Sequence, residues 1–399
     1  MKPSKILIRI LFIAVFAMTL AFPASALEQG KYYADEGSIS YWEAVDTLTM
    51  LGVLKGRGGE SGGQGRFEPR GTLTRAEAAK ICVFLAMGAR SAESAAEPAE
   101  TEFADVPEAH WASGYIGYCA REGIIHGSSP SASSVKYFLP EEPVTGYEML
   151  KLVLGALGYG VNGEFTGENW SIRVAYFADL NRLTAGIAMP SPRLGVYDSP
   201  AYREEAALYT FNALKANTVR WNPRTGRYEP LGASNNTLLE WVGGNMVLGV
   251  VSYDEGFVVY GLPMGEETDE LQIPAENFEY HDLGRRAHVY YILDSDGSVR
   301  ACSDAYFDDT LLVIRSDGAG LSRWTDSGDP AYTGFSCGDK LRWSVNGSPY
   351  YNYVQPVEGI SLAEALDLSA GDEFLRGSVA YLIDSDGGGT VDTVHFFVG

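Results

Sequence analysis

The chain contains few of the residues that build metal centres and disulfide frameworks. Its 399 residues include 4 cysteines and 5 histidines, which is little material for a metal cluster or a disulfide-dense scaffold. Positive charge is also scarce, because 30 lysines and arginines are set against 52 acidic residues and leave a net charge of −22. This balance excludes a general electrostatic attraction to nucleic acid or anionic lipid. The composition therefore predicts no cofactor, no metal and no nucleic-acid partner.

Long apolar runs are confined to the N-terminus. Lys2, Lys5 and Arg9 precede an almost wholly apolar stretch at residues 10–22, and the small residues at 24–26 follow. This order is typical of a secretory signal peptide covering residues 1–26, and it is less typical of a retained membrane anchor because the apolar stretch is short. Removing three cations and no acid changes the net charge from −22 to about −25. The mature chain is predicted to be secreted and to have no membrane span.

Three segments of the mature chain repeat one order of features. Each contains a tryptophan followed by a four-residue motif. The spacing from the tryptophan to the second residue of the motif is 33, 35 and 33 positions. The tryptophans are Trp42, Trp111 and Trp170, and the motifs begin at Thr74, Thr145 and Tyr202. Even spacing across divergent sequence predicts one structural unit used three times.

Each unit is predicted to hold two helices joined by a turn and a loop. Ser40 with Glu43 fits a capping box at the first helix of the first unit. The second helices of the first two units begin with a threonine that is followed three residues later by a glutamate. These pairs are Thr74 with Glu77 and Thr145 with Glu148. Tyr202 replaces the threonine in the third unit, which is expected to cost a cap of about 1 kcal/mol.

This pattern resembles the bacterial S-layer homology domain. In the second unit the resemblance is carried by Phe103-Ala104-Asp105-Val106-Pro107, Trp111, Gly123-Ile124-Ile125, Phe138, Pro140 and Thr145. In the first unit it is carried by Trp42, Gly52-Val53-Leu54, Phe67, Pro69 and Thr74-Arg75-Ala76-Glu77. The third unit is divergent and retains Arg203-Glu204-Glu205-Ala206. The predicted units cover residues 27–88, 103–160 and 161–217, with an Ala/Glu-rich linker at 89–102.

The resemblance implies a helical body with pseudo-threefold symmetry that binds secondary cell wall polysaccharides, often carrying a pyruvate ketal, in grooves between its lobes. An arginine fork suits a ketal carboxylate, and a helix N-terminus also favours an anion. The implied polysaccharide-binding residues are Arg75, Arg203, Trp42, Trp111, Trp170, Thr74, Thr145 and Asp105, with Glu77 and Glu148 as capping residues. Tryptophan at the start of a helix is equally typical of a core position. Gly146 replaces the arginine in the second unit, so that groove is expected to be weak or inactive.

From residue 218 to 399 the helical pattern gives way to short β-like runs separated by turn signals. The predicted strands are residues 246–253, 256–260, 287–293, 299–303, 310–314, 340–345, 378–383 and 390–398. This spacing predicts one or two small antiparallel β modules, with one helix at residues 362–368. The predicted fold class is therefore α+β multidomain: a helical triplet followed by a β-rich antiparallel region.

One turn in the β region has the residues of a weak calcium site. Asp384, Asp386 and Asp392 fall where an EF-hand-like loop places its ligands. His395, however, stands where the bidentate glutamate belongs, and the flanking segments are predicted strands. A plain β-hairpin turn is the favoured interpretation.

The predicted function is that of a secreted, non-enzymatic protein of the cell wall and cell surface. The triplet would bind secondary cell wall polysaccharide and display the β-rich region, with self-association in a surface layer as a further interaction. Two alternatives stay open. In the first, the chain is a wall or polysaccharide hydrolase with a catalytic C-terminal region. In the second, it is a structural array subunit whose C-terminal region makes lateral contacts.

Overall fold

The computed structural model describes most of the helical part and the strands of the β region. The described residues are 32–58, 65–129, 134–187, 197–231, 237–253, 257–261, 272–274, 277, 285–308, 310–315, 336–345, 379–384 and 390–397. The predicted signal peptide and the predicted helix at 362–368 lie outside them. No helix within these ranges is long and apolar enough to cross a membrane.

The helical part carries two helices in each predicted unit, as the apolar spacing predicts. In chain order the helices are α1 (Trp42–Met50), α2 (Arg75–Met87), α3 (Ala89–Ala92), α4 (Ser113–Arg121), α5 (Gly146–Ala156), α6 (Trp170–Leu180), α7 (Arg203–Leu214) and α8 (Leu238–Trp241). Short 3₁₀ turns cover Glu36–Ser38 and Glu93–Ala96. Helices α1, α4 and α6 are the first helices of the predicted units, and α2, α5 and α7 are the second.

The N-termini of α2, α5 and α7 are joined by a closed ring of backbone hydrogen bonds. Each helix donates its first two N–H groups to carbonyls of a neighbouring loop. Arg75 and Ala76 donate to Glu142 and Pro140, Gly146 and Tyr147 donate to Ser199 and Tyr197, and Arg203 and Glu204 donate to Gly71 and Pro69. These bonds satisfy N–H groups that a helix cannot satisfy internally. Each second helix therefore begins against the loop of another predicted unit.

The threonine caps form where the sequence predicts them, but the first helix begins differently. Thr74 and Thr145 each accept from the N–H of the glutamate three residues later, and each glutamate accepts from the threonine N–H. The predicted cap at Ser40 is wrong, because α1 begins at Trp42 with Tyr41 as its N-cap and no side-chain cap. The Ser40 N–H instead donates to Glu204 at 2.8 Å. Long-range pairing therefore takes priority over the local capping signal.

One apolar core runs through the helical part. Its largest fully buried side chains include Phe67, Leu48, Leu85, Ile116, Met149, Leu150, Leu154, Leu157, Leu183 and Leu214. Cys82 and Cys119 are free thiols within this core, as their places on apolar helix faces predict.

The β region forms two sheets and a hairpin. The strands are β1 (Val219–Asn222), β2 (Arg227–Pro230), β3 (Asn245–Tyr253), β4 (Phe257–Gly261), β5 (Gln272–Pro274), β6 (Arg286–Leu293), β7 (Val299–Phe307), β8 (Thr310–Arg315), β9 (Ser336–Val345), β10 (Val379–Asp384) and β11 (Thr390–Phe397). β1 and β2 form the hairpin. The five-stranded sheet has the order β5-β4-β3-β6-β7, and the four-stranded sheet has the order β8-β10-β11-β9. All predicted strands are present. The purely antiparallel prediction is wrong at one pair, since β11 and β9 run parallel.

Strand β6 shows how the five-stranded sheet joins the helices. Ala287, Val289 and Tyr291 belong to the apolar cluster of the sheet, whereas Tyr290 and Ile292 belong to the core of the helical part. Alternate side chains of a strand point to opposite faces. The sheet therefore packs one face directly on the helices.

Helix α1 provides polar contacts across this junction. The Trp42 indole N–H donates to Asp304 of β7 at 2.8 Å. Asp46 accepts from the Asp304 backbone N–H at 2.7 Å and from the Tyr306 hydroxyl. Burial, followed by the nearby Asp304 carboxylate, raises the pKa of Asp46 to about 7. Asp46 is therefore partly protonated at neutral pH, which reduces the charge buried at the junction.

An ionic cluster lies at the same junction between α1 and the sheet. His288 of β6 contacts Asp308 at 2.8 Å through Nδ1 and Glu43 of α1 at 3.1 Å through Nε2. Burial lowers the pKa of His288, but the hydrogen bonds to the two carboxylates outweigh it and raise the pKa to about 9. His288 is therefore a cation at neutral pH, held between a helix and the sheet.

Candidate functional site

A groove opens at the N-terminus of α2, where α2 meets α5, α6 and the loop before α5. Its volume is about 430 Å³. The side chains with chemical character that line it are Arg75, His126, Phe138, Glu148, Lys151 and Trp170. This site is named the Arg75 groove. It draws residues from all three predicted units, which sequence spacing alone could not show.

Arg75 lies at the wall of this groove and is held in place by its neighbours. Its Nε–H donates to the Phe138 carbonyl at 2.8 Å, and its guanidinium lies 4.8 Å from the centre of the Phe138 ring. A terminal N–H group pairs with the Glu148 carboxylate. The side chain remains 20% exposed. The guanidinium is thus fixed in direction while part of it still faces the groove, where it can donate to a carboxylate.

Two further groups that can carry positive charge line the Arg75 groove. Burial is the main cause that lowers the pKa of Lys151; Glu148 opposes this effect and Arg75 adds to it. Burial also lowers the pKa of His126, and Lys151 and Lys136 lower it further. Both shifts disfavour the protonated forms. A bound anion would act in the opposite direction and favour the protonated forms.

Trp170 supplies the aromatic wall of the groove. Its ring meets Tyr147 edge to face at 6.4 Å, and the Lys151 ammonium lies 5.6 Å from its ring centre. Trp170 is partly buried, so it both packs on the core and lines the cavity. A ring face beside cations offers a sugar both an apolar surface and a charge.

Arg203, which the sequence predicts to contact a ligand, is buried in the structure. Its Nε–H donates to the Phe67 carbonyl at 2.7 Å, and a terminal N–H donates to the Lys55 carbonyl at 3.2 Å. Its side chain is 5% exposed. Burial, followed by the neighbouring Arg57, lowers the pKa of Arg203. The region around Arg203, Phe67, Glu77 and Arg57 is named the Arg203 site.

At the equivalent position of the second unit, Gly146 stands in place of the arginine and Tyr197 packs against it. A Cβ added at Gly146 would lie 3.1 Å from the Cα and Cδ1 of Tyr197. Tyr197 packs on Tyr147 with ring centres 5.3 Å apart. The missing side chain at Gly146 therefore reflects a close approach between α5 and the loop before α7.

The other predicted binding residues have structural roles in the fold. Trp42 lies in the junction with β7, so it does not line the Arg75 groove. Asp105 accepts from the backbone N–H groups of Phe138 and Leu139 at 2.9 and 2.7 Å. It therefore positions Phe138, whose carbonyl holds Arg75, and its carboxylate is occupied by these bonds.

Thr74, Thr145, Glu77 and Glu148 form the capping boxes of α2 and α5. Glu148 also pairs with Arg75, so it has a second role that the sequence does not indicate. Trp111 is 51% exposed, and its ring stacks on His110 at 5.9 Å. Among the weak calcium candidates, Asp384 ends β10, Asp392 lies in β11, and Asp386 falls outside the described residues.

Sequence reasoning missed His126 and Lys151, although a signal was present. Lys80 and Lys151 each lie three residues after the capping glutamate of their helix. Residues three apart share a helix face, so a lysine beside each capping glutamate was predictable. His126 lies in a loop, where no periodic pattern indicates the direction of the side chain.

A model of the S-layer homology domain family matches residues 32–79 and 102–150. The two matches contain Arg75, Glu77, Phe138, Thr145 and Glu148, the residues on which the resemblance and much of the groove depend. The prediction of S-layer homology domains is thus confirmed for two segments, while the predicted third unit lies outside both matches. No curated protein matches the chain.

Proposed function

We propose that this chain is a surface protein held on the cell wall by an anionic secondary wall polysaccharide, which binds in the Arg75 groove. The two S-layer homology domains are characteristic of wall-anchored surface proteins. The observation that carries the finer proposal is the convergence of Arg75, Lys151, His126 and Trp170 on one cavity of about 430 Å³. That volume lies within the range of small-ligand sites and suits a short sugar unit.

The chemistry of the groove favours a carboxylate on the sugar. Arg75 presents a directed guanidinium at the start of α2, where the helix dipole also favours an anion. A pyruvate ketal places a carboxylate directly on a sugar ring, so one residue of the polymer would meet both Arg75 and the face of Trp170. The net charge of −22 does not prevent this, because the cations of the groove act at contact distance.

We propose residues 161–217 as a third, divergent unit. The ring of backbone hydrogen bonds supports this, since α7 docks on the loop of the first unit as α2 docks on the loop of the second. The contacts of Arg203 also repeat those of Arg75, including the bond to a phenylalanine carbonyl. The unit thus contributes Trp170 to the groove and closes the body.

Residues 218–399 are proposed as the displayed part, without an enzymatic role. Most glycoside hydrolases use a pair of carboxyl groups that flank the scissile bond in an open cleft. The paired carboxyls of Asp46 and Asp304 lie between α1 and β7 and serve the junction. Self-association in a surface layer stays a prediction, as does export through the signal peptide.

The proposal is tested by co-sedimentation of the mature chain, residues 27–399, with purified cell walls. Wild-type protein is expected to sediment with intact walls and to stay in solution with walls stripped of their secondary polymers. Arg75→Ala is expected to reduce sedimentation. Arg220→Ala is the matched control, because Arg220 is an exposed arginine on β1, away from the groove. Equal binding of wild type to stripped and intact walls would refute the proposal.

A further inference from the structure

The Arg75 groove and the Arg203 site are built on the same local frame, shifted by 71 residues along the chain. The backbone N–H of Arg57 donates to Arg66 at 2.8 Å, and the N–H of Ser128 donates to Tyr137 at 2.9 Å. Each pair forms an isolated antiparallel bridge. Arg57 and Ser128 are therefore equivalent positions in two copies of one loop.

The two arginines at these sites also repeat each other. The distance from Nε to the phenylalanine carbonyl is 2.8 Å for Arg75 and 2.7 Å for Arg203. The guanidiniums lie 4.8 and 5.1 Å from the rings of Phe138 and Phe67. The chain thus contains two copies of the element that carries the proposed ligand contact. Their difference must come from what surrounds them.

One difference is the residue at the equivalent loop position. Arg57 donates to both carboxylate oxygens of Glu77, at 2.8 and 2.9 Å, and also to Glu68 and the Thr72 carbonyl, each at 3.2 Å. Glu77 is the counterpart of Glu148. The Arg57 guanidinium therefore occupies the carboxylate that Arg203 would otherwise hold, and Arg203 is left 3.8 Å from it.

Arg57 attracts an anion less than an unpaired arginine would. Two carboxylates, Glu77 and Glu68, already neutralise it. In the Arg75 groove the same position is Ser128, whose short side chain lines the cavity and leaves it open. Arg75 keeps its pairing with Glu148 and stays 20% exposed, whereas Arg203 is 5% exposed.

We infer that the residue at this loop position decides which site binds polymer: Ser128 keeps the Arg75 groove open, and Arg57 closes the Arg203 site. The wild-type chain then holds one polymer site of this kind. The inference rests on the proposed function, since it assigns that function to one of two related sites.

The test counts binding sites by titration calorimetry with a small probe, a monosaccharide glycoside that carries a pyruvate ketal. The mature wild-type chain is expected to bind one equivalent. Ser128→Arg is expected to abolish this binding, because arginine would fill the cavity and compete for Glu148. Arg57→Ser is expected to bind two equivalents, and Arg57→Ser combined with Arg203→Ala is expected to return to one.

Two controls keep these outcomes interpretable. Arg220→Ser removes an exposed arginine of β1 and is expected to bind as wild type does. Circular dichroism and thermal melting of each variant show whether the loss of the Arg57 ion pairs unfolds the chain. If Arg57→Ser unfolds, Ser128→Arg still decides, because binding by that folded variant overturns the inference.

The outcomes separate the inference from the function on which it rests. Two equivalents bound by wild type, or one equivalent bound by folded Arg57→Ser, overturns the inference and leaves wall-polymer binding intact. No binding of the probe by wild type, together with no sedimentation on intact walls, overturns the proposed function and the inference together. Wall sedimentation without probe binding overturns the assignment of the pyruvate-bearing unit to these sites.

Discussion

Truncation of Arg75 and of Arg203 to alanine should produce opposite phenotypes, although the two side chains make nearly the same contacts. Arg75→Ala removes a partly exposed guanidinium from the Arg75 groove. A charge-assisted hydrogen bond contributes about 1.5–3 kcal/mol, so affinity for an anionic sugar should fall about 10- to 150-fold. The stability cost should be small, about 1–2 kcal/mol, because water can reach the groups left behind.

Arg203→Ala should instead lower stability and leave affinity unchanged. The Phe67 and Lys55 carbonyls both lose their donor. The Phe67 carbonyl is buried, and an unsatisfied buried polar group costs about 1–3 kcal/mol, so the free energy of unfolding should fall by about that amount. Glu77 keeps its pairing with Arg57, which prevents a larger loss.

The assay measures probe affinity by calorimetry and unfolding by urea for both variants and for wild type. Binding is compared only at urea-free conditions where each variant is folded. The reasoning is refuted if folded Arg203→Ala loses as much affinity as Arg75→Ala, since a ligand would then reach the buried arginine. It is also refuted if Arg75→Ala binds as wild type does, which would leave Trp170 and Lys151 as the remaining candidates.

Three further outcomes are expected. Stability of the junction between α1 and β7 should fall as pH rises from 5 to 9.5, because Asp46 and His288 have raised pKa values of about 7 and 9 and stabilise while protonated. In urea unfolding, Asp46→Asn should lose the part of this stability decline that occurs below about pH 7. An unchanged dependence of stability on pH would contradict the assignment. Gly146→Arg should destabilise the chain and add no affinity, because Tyr197 lies against that position; a well-folded variant with tighter binding would contradict this. Trp170→Ala should weaken probe binding about two- to tenfold, because one aromatic contact contributes ~0.5–1.5 kcal/mol. The control is Trp241→Ala, which removes an exposed tryptophan of α8. An equal loss of binding in this control would show that the effect is not local.

Much of the helical part was predictable because its signals are local. Thr74 with Glu77 predicts a helix start by satisfying two backbone donors within four residues, and the structure forms that box. The strands were predictable for a similar reason, since alternation and turn residues act over short distances. The Ser40 prediction failed because a distant residue, Glu204, takes the N–H that a local cap would have used.

The candidate site was only partly predictable. The sequence indicates that Arg75 and Arg203 are equivalent, and their backbone positions are indeed equivalent. It could not distinguish their exposure, because that depends on Arg57, which lies far from Arg203 along the chain and competes for Glu77. The sequence also could not show that the Trp42 indole N–H donates to Asp304 of the distant sheet.

The sequence by itself determined the repeated order of features, the threonine caps, the strand positions and the residue type suited to an anionic sugar. Each of these depends on interactions between residues close in the chain, so a linear pattern records them. The tertiary structure alone decided which arginine faces a cavity, that Trp170 and Lys151 join Arg75 there, and that α1 is covered by β7. These outcomes depend on competition between groups far apart in the chain for the same carboxylate or the same surface, and no local pattern records which group wins.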